Sequence, residues 1–499
     1  MNRSMKTAIQ FFQRQSTANI AALLCLVLSG GCSFAPNYAR PVVQTPVAFK
    51  ELAPDQFQEK EGWKTAEPKD HEVRGNWWEI FREAELNALE GQVAVSNQNI
   101  AAAFANFLAA RAVVKQSRSG YFPTVSASPS VTRSRQPSTV AQSGSSQTPS
   151  TITEYSLPFD ASWELDFWGR IRNSVKASSF EAQATFADLE NVRLTVQAEV
   201  AADFFQVRGL DAQKQLLDAA VRGFQRSLKL TQIQRDAGMA SDQDVAQAET
   251  QLNITLAQDS DIGIQRAQLE HAIATLIGKP ASLFSMATNS LTAKPVPIPF
   301  TVPSQLLERR PDIAAAERRV AEANAQIGVA RAAYFPTITL SGSVGYQGSS
   351  LGNLASGPGL AWSVGSTLAQ TLFDAGKRKA VTEQARARYQ GTVANYRQAV
   401  LSAFQEVEDY LSALRIVSQE LQQQNGAVES SQRYLTLANH RYSSGIEIYL
   451  EVIAAQTALL SNQRTAMSLR VQQMTASVQL IKALGGSWER STRATAAVP

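Results

Sequence analysis

The sequence predicts an α+β membrane protein built from two copies of one unit, each joining a pair of membrane-length strands to a long helical hairpin. Three observations carry this. Tyr121-Phe122-Pro123-Thr124 recurs as Tyr334-Phe335-Pro336-Thr337. Two proline-free stretches, Phe159 to Lys279 and Gly359 to Val498, carry apolar residues at helical steps. Segments alternating between apolar and polar residues open each of these stretches, and their length of about ten residues suits a tilted strand crossing a bilayer.

The N-terminus reads as an export signal. Arg3, Lys6 and Arg14 precede an apolar run, Ile20 to Leu28, which ends in Ser29-Gly30-Gly31-Cys32. A run of roughly nine residues is too short to span a bilayer and fits the core of a signal peptide. Small residues before a cysteine predict cleavage ahead of Cys32 and an acylated N-terminal Cys32. Residues 1–31 are then the signal and 32–80 a lipidated, extended segment. Ser29 stands where such signals usually carry Leu, so an ordinary signal with an incidental cysteine is the alternative. Cys25 lies inside the signal, which leaves no partner for a disulfide and no thiolate metal site in the mature chain. Without the three basic residues of the signal, the formal charge falls from +4 to about +1. That is not the footprint of a nucleic-acid binder.

At 499 residues the chain exceeds what one core usually supports, and the repeat divides it. The first copy covers 81–278, a Pro-rich linker 279–303 and the second copy 304–488, with a tail over 489–499. Gly169 corresponds to Gly376 and Gly238 to Gly445, both at an offset of 207 residues. Leu189, Val192, Val196, Val200, Phe204 and Val207 step by three and four, as do Val400, Phe404, Val407, Leu411 and Leu414. A helix from Arg170 to about Arg235 would reach roughly 100 Å at 1.5 Å per residue, which argues for coiled-coil packing rather than a compact domain. The turn at Asp236-Ala237-Gly238 leads into a returning helix, Ser241 to Leu276, and Ser443-Ser444-Gly445 does the same in the second copy. The hairpins therefore span 170–277 and 376–485.

The strand pairs occupy 123–167 and 336–373. The cleanest alternation sets Leu157, Phe159, Ala161, Trp163, Leu165 and Phe167 against Ser156, Asp160, Ser162, Glu164 and Asp166. A soluble sandwich edge with one wet face would alternate similarly. Aromatic residues on the apolar face, in a chain routed through export, favour the membrane. In hydrocarbon every backbone donor and acceptor must be paired, so open sheet edges are excluded. A membrane barrel needs about eight strands, and one chain offers four. Two chains are the minimum; three would make a wider, twelve-stranded barrel.

The ordered motifs resemble those of the TolC-like outer-membrane efflux factors, in the lipoprotein (NodT-type) branch that works with RND-type pumps. They run from Cys32-Ser33 and Pro36-Asn37-Tyr38-Ala39-Arg40-Pro41 through Trp77-Trp78 with Phe81 to Glu308-Arg309-Arg310-Pro311-Asp312-Ile313. Leu372-Phe373-Asp374-Ala375-Gly376 and Arg441-Tyr442 with Gly445 complete them. The resemblance implies a homotrimer whose twelve-stranded barrel is continued by a periplasmic helical barrel with an equatorial region. It implies an exit duct for small molecules, coupled to a periplasmic adaptor and an inner-membrane pump, in the outer membrane. It further implies that the hairpin tips form the gate, here Leu450, Glu451, Ala454, Asp244 and Gln247. Adaptor contacts would fall at Gly238, Ser241, Val245 and Gly445. Family members often carry an acid where this chain has Ala454, so the carboxylate ring there is lost or moved. Leu450 reads equally as an apolar plug or as helix packing.

Enzymatic readings find no support. His71, His271 and His440 have no ligand spacing, and no catalytic, metal or phosphate motif occurs in a suitable context. Asp160, Glu164 and Asp166 could suggest paired carboxylates, but a polar barrel lumen accounts for them. No catalytic residue, metal or cofactor is expected beyond lipid on Cys32. A competing reading, a periplasmic coiled-coil lipoprotein without a pore, leaves the strands unexplained.

Overall fold

The computed structural model describes residues 34–43, 46, 49–51, 75–135, 151–291, 293, 309–354 and 359–486. Chain contacts divide it into two units, each drawing on both sequence copies. One combines the N-terminal segment ending at Pro41 with Phe107–Ala184 and Ala316–Tyr396; the other holds Val42–Asn106, Thr185–Ala315 and the chain from Arg397.

The first unit contains an antiparallel sheet of β1 (Thr124–Ala127), β2 (Ser130–Arg135), β3 (Thr151–Leu165), β4 (Thr337–Gly348) and β5 (Leu360–Ala369). The order is β1–β3–β4–β5, with β2 also on β3. Sequence alone predicts a single strand where β1 and β2 stand. Pro129 breaks it, because proline has no N–H to give to the ladder. Register survives the break: Ala127 faces Phe159 and Ser130 faces Ser156. The backbone N–H of Ser128 still donates to the carbonyl of Pro158 at 3.2 Å. The two pieces thus do the work of one strand, and the sheet has four lanes.

Pairing sorts the side chains by face. Phe159, Val344 and Trp362 form one cross-strand row, and Leu165, Ile338 and Leu368 another. The opposite face carries Asp160, Ser343 and Ser363. Trp362 is 75% and Val364 81% exposed on the apolar face of β5, an arrangement that suits hydrocarbon rather than water. β1, β2 and β5 each pair on one side only among the described residues.

Seven helices are described: α1 (Ala84–Ser96), α2 (Gln98–Ser119), α3 (Arg170–Asp236), α4 (Asp242–Leu276), α5 (Pro311–Ala332), α6 (Lys377–Ser443) and α7 (Tyr449–Ala483). α3 and α6 each have 67 residues, and α4 and α7 each have 35. The duplication therefore preserved the length of both hairpin arms. Asp166 prepares the start of α3: its carboxylate accepts from the backbone of Ile171 at 2.9 Å and Arg172 at 2.8 Å. Asp374 repeats the device before α6, accepting from Gly376 at 3.1 Å and Arg378 at 3.2 Å. These bonds satisfy N–H groups that a helix start leaves open. Asp166 was expected within the strand; it lies just past Leu165 because it is committed to this cap.

The core of the second unit gathers Trp77, Trp78 and Phe81 against Phe204, Phe205, Val207, Ile273 and Ile481. Trp77–Phe81 forms a short 3-10 helix inside what sequence suggested was extended chain up to residue 80. Burial of the three aromatic rings explains the turn. Arg208 and Arg266 converge on the fully buried Asp211, and Arg266 also donates to the carbonyl of Met286 at 2.8 Å. This network clips the chain after Pro280 onto α3 and α4.

Glu90 lies in the same unit, fully buried, with neither carboxylate oxygen hydrogen-bonded. Burial pushes its pKa up to about 9. Between the ordinary value of 4.5 and about 9, the unfolded chain has lost this proton while the folded chain keeps it, so stability falls as pH rises. Glu90→Leu should flatten the decline in thermal stability between pH 5 and pH 8. The gain at pH 7 should approach about 3 kcal/mol, at 1.36 kcal/mol per pH unit. Melting of the detergent-solubilised protein across that range checks it; an unchanged slope would locate the pH dependence elsewhere.

Candidate functional site

The tips of the two hairpins form one packed cluster within the second unit. Gly238 and Gly445 have φ of +76° and +72°, a region that glycine enters without a Cβ penalty. Each donates its N–H back into the preceding helix, to Arg235 at 2.8 Å and to Tyr442 at 3.0 Å. Beneath the turns, Ala248 from α4 packs with Ala438, Tyr449, Val452, Ile453 and Ala455 from α6 and α7. The Tyr442 hydroxyl donates to Gln234, which ties the second tip to the first.

The first tip is closed by a capping box. Ser241 N–H donates to the Asp244 carboxylate at 2.9 Å, and Asp244 N–H returns a bond to the Ser241 hydroxyl at 3.2 Å. Asp244 is thus engaged in holding the start of α4. Val245, expected at an adaptor contact, is buried at 8% exposure. Gln247 is half-buried, while Gly238 and Ser241 are exposed.

The second tip lacks a side-chain cap at Ile448. Leu450 is 44% exposed, and Ala454 is exposed four residues on, so the two share one open helical face. Glu451 is turned aside: the Tyr434 hydroxyl donates to its carboxylate at 2.7 Å. That bond pushes the Tyr434 hydroxyl pKa up. Arg441 and Glu447 pair at 2.9 Å across the turn. Gly445 is exposed beside them. The open face of α7 therefore presents an uncharged Leu450–Ala454 surface with its nearest carboxylate already tied.

In the first unit a second constellation surrounds the ends of the strands. Trp168 and Phe335 stack at 5.0 Å, and Phe34 stacks on Phe335 at 4.2 Å. The Trp168 indole donates to the Pro336 carbonyl at 2.6 Å, and the Trp163 indole donates to the Tyr121 carbonyl at 3.1 Å. The repeated Tyr-Phe-Pro-Thr thus marks both places where the chain passes from helix into strand. Such aromatic groupings suit a membrane interface, where rings are apolar and indole N–H groups still find acceptors. From Phe34 the chain runs as a strap along α5. Asn324 donates to the Pro36 carbonyl at 2.8 Å, the Tyr38 hydroxyl donates to Glu317, and Arg40 approaches Glu317 at 3.8 Å. Cys32 itself lies outside the described residues, as do residues 292 and 294–303 of the Pro-rich linker.

Sequence reading found the tips through their glycines but missed Tyr434–Glu451 and Tyr442–Gln234, which join residues 17 and 208 positions apart. It also missed the Phe34–Phe335–Trp168 stack. An aromatic two residues past Cys32 was its one available signal.

Comparison with known proteins agrees with this geometry. The model of the outer membrane efflux protein family matches residues 89–279 and 302–486. The antibiotic efflux pump outer membrane protein ArpC of Pseudomonas putida is 32% identical over 474 residues, covering 93% of this chain and 94% of its own. The toluene efflux pump outer membrane protein TtgC, also of Pseudomonas putida, shows the same identity and coverage. Among solved structures, the outer-membrane channel OprN superposes with a TM-score of 0.81 at 28% identity, over 92% of this chain and 100% of its own. The chain belongs to the outer membrane efflux protein family and is an outer-membrane channel serving as the exit duct of an efflux system.

Proposed function

We propose that three copies of this chain close a twelve-stranded barrel in the outer membrane and pass small molecules received from a periplasmic adaptor and an inner-membrane RND-type pump. The observation that carries this is the four-lane sheet, apolar on one face and, among the described residues, unpaired at both edges. In hydrocarbon those edges require partners, and copies of the same sheet supply them. The duct does no chemistry and needs no cofactor. Cargo choice belongs to the pump: relatives equally similar to this chain are named for antibiotic and for toluene efflux.

The strap fits a lipid anchor on Cys32. Phe34, two residues further along the sequence, is held among aromatic residues at the strand ends, a grouping suited to a membrane interface. The hairpin tips fit the adaptor-facing end, with Leu450 as the apolar plug and Gly238, Ser241 and Gly445 open to a partner.

Purified protein in planar bilayers should conduct, and a protein that inserts without opening a pore would overturn the duct. Leu450→Ala should raise resting conductance; an unchanged value would put the seal at another residue. Mass spectrometry of the mature chain should find an acylated N-terminal Cys32, and a chain starting beyond it without lipid would exclude the anchor.

A further inference from the structure

The sheet's polar face carries fewer free charges than its sequence suggests, and all of them have one sign. β3 alternates without a bulge from Thr151 to Leu165, so Glu154, Asp160 and Glu164 share the face opposite the apolar rows. Glu164 is neutralised by Arg170, whose guanidinium donates twice, at 2.8 and 2.6 Å. Asp166 lies past the strand, capping α3 and paired with Arg172. Asp160 faces only hydroxyl neighbours in the register, Ser126 and Ser343. Glu154 stands opposite Thr132, nearer the loop end of the strand.

No base answers them from this face of the sheet. Between Arg331 and Asp374 the sequence contains no charged residue, so β4, β5 and their connection contribute nothing. Residues 136–153 are also uncharged. Arg133 and Arg135 pair with Thr153 and Thr151 and fall on the other face, in phase with Val131.

We propose that Asp160, supported by Glu154, makes the interior of the barrel prefer cations over anions. This rests on the closed-barrel reading, in which the apolar face meets lipid and the Asp160 face lines the lumen. Symmetry then sets every copy's Asp160 at one depth, forming a ring of like charge. Hydroxyls and glycines around it leave the carboxylates hydrated and unpaired, so they act as a field on the permeating solution. With Ala454 at the tip and Glu451 tied to Tyr434, the barrel ring is the discriminating element rather than a tip carboxylate. Screening over a Debye length of about 10 Å at 0.1 M salt makes the preference strongest in dilute solution.

The test is the reversal potential of the purified, full-length channel across a planar bilayer under a potassium chloride gradient, at low ionic strength. The wild type should reverse on the cation-selective side. Asp160→Asn should move the reversal potential toward zero, and Asp160→Asn with Glu154→Gln should move it further. The paired exchange Glu164→Gln with Arg170→Gln should leave it unchanged. Unitary conductance measured on the same channels verifies that each variant assembles. Conducting variants of Asp160 and Glu154 that keep the wild-type reversal potential would overturn this proposal alone. A wild type that does not conduct would overturn the duct itself, and this proposal with it.

Discussion

The unpaired edges of the sheet are the constraint on which the rest depends. Each exposed edge N–H and C=O would cost several kcal/mol in hydrocarbon, far more than side-chain changes could offset. Four lanes cannot close on themselves, so the apolar face, the edges and the need for further copies form one statement rather than three. The sheet pattern then dictates what the rest of each copy must provide. Every strand pair feeds its own helical hairpin, so adding copies enlarges strand wall and helical wall together.

The preserved arm lengths express the same coupling. With 67 and 35 residues in both hairpins, the two copies place their turns at equivalent positions along the helices. A shift in one arm would misplace the tip contacts, where Tyr442 reaches Gln234 and Gln456 reaches Ser227. Capping by Asp166 and Asp374 fixes the other end, because helix start and strand end are separated by only a few residues.

Much of this was legible in the sequence because it is local or periodic. α3 was expected from Arg170 to about Arg235 and runs to Asp236; the return helix was expected to end at Leu276 and does. Period-two alternation identified the strand faces correctly, since a register slip would have exchanged them. Pro129 was visible but its effect was not: a strand survives such a break when its partner keeps register on both sides. Contacts across the repeat stayed hidden, since nothing in residue 34 announces residue 335. Asp160, Glu164 and Asp166 looked alike in sequence. Only the positions of Arg170 and Arg172 distinguish Glu164 and Asp166, which are tied, from Asp160, which has no ion pair among the described residues.

The central claim is that strands from several copies complete one barrel. Native mass spectrometry of the detergent-extracted, conducting protein addresses it most directly. Three copies per particle, with no conducting species of one chain, is the result the account predicts. A conducting single-chain particle would mean that four lanes can close alone, and would contradict it.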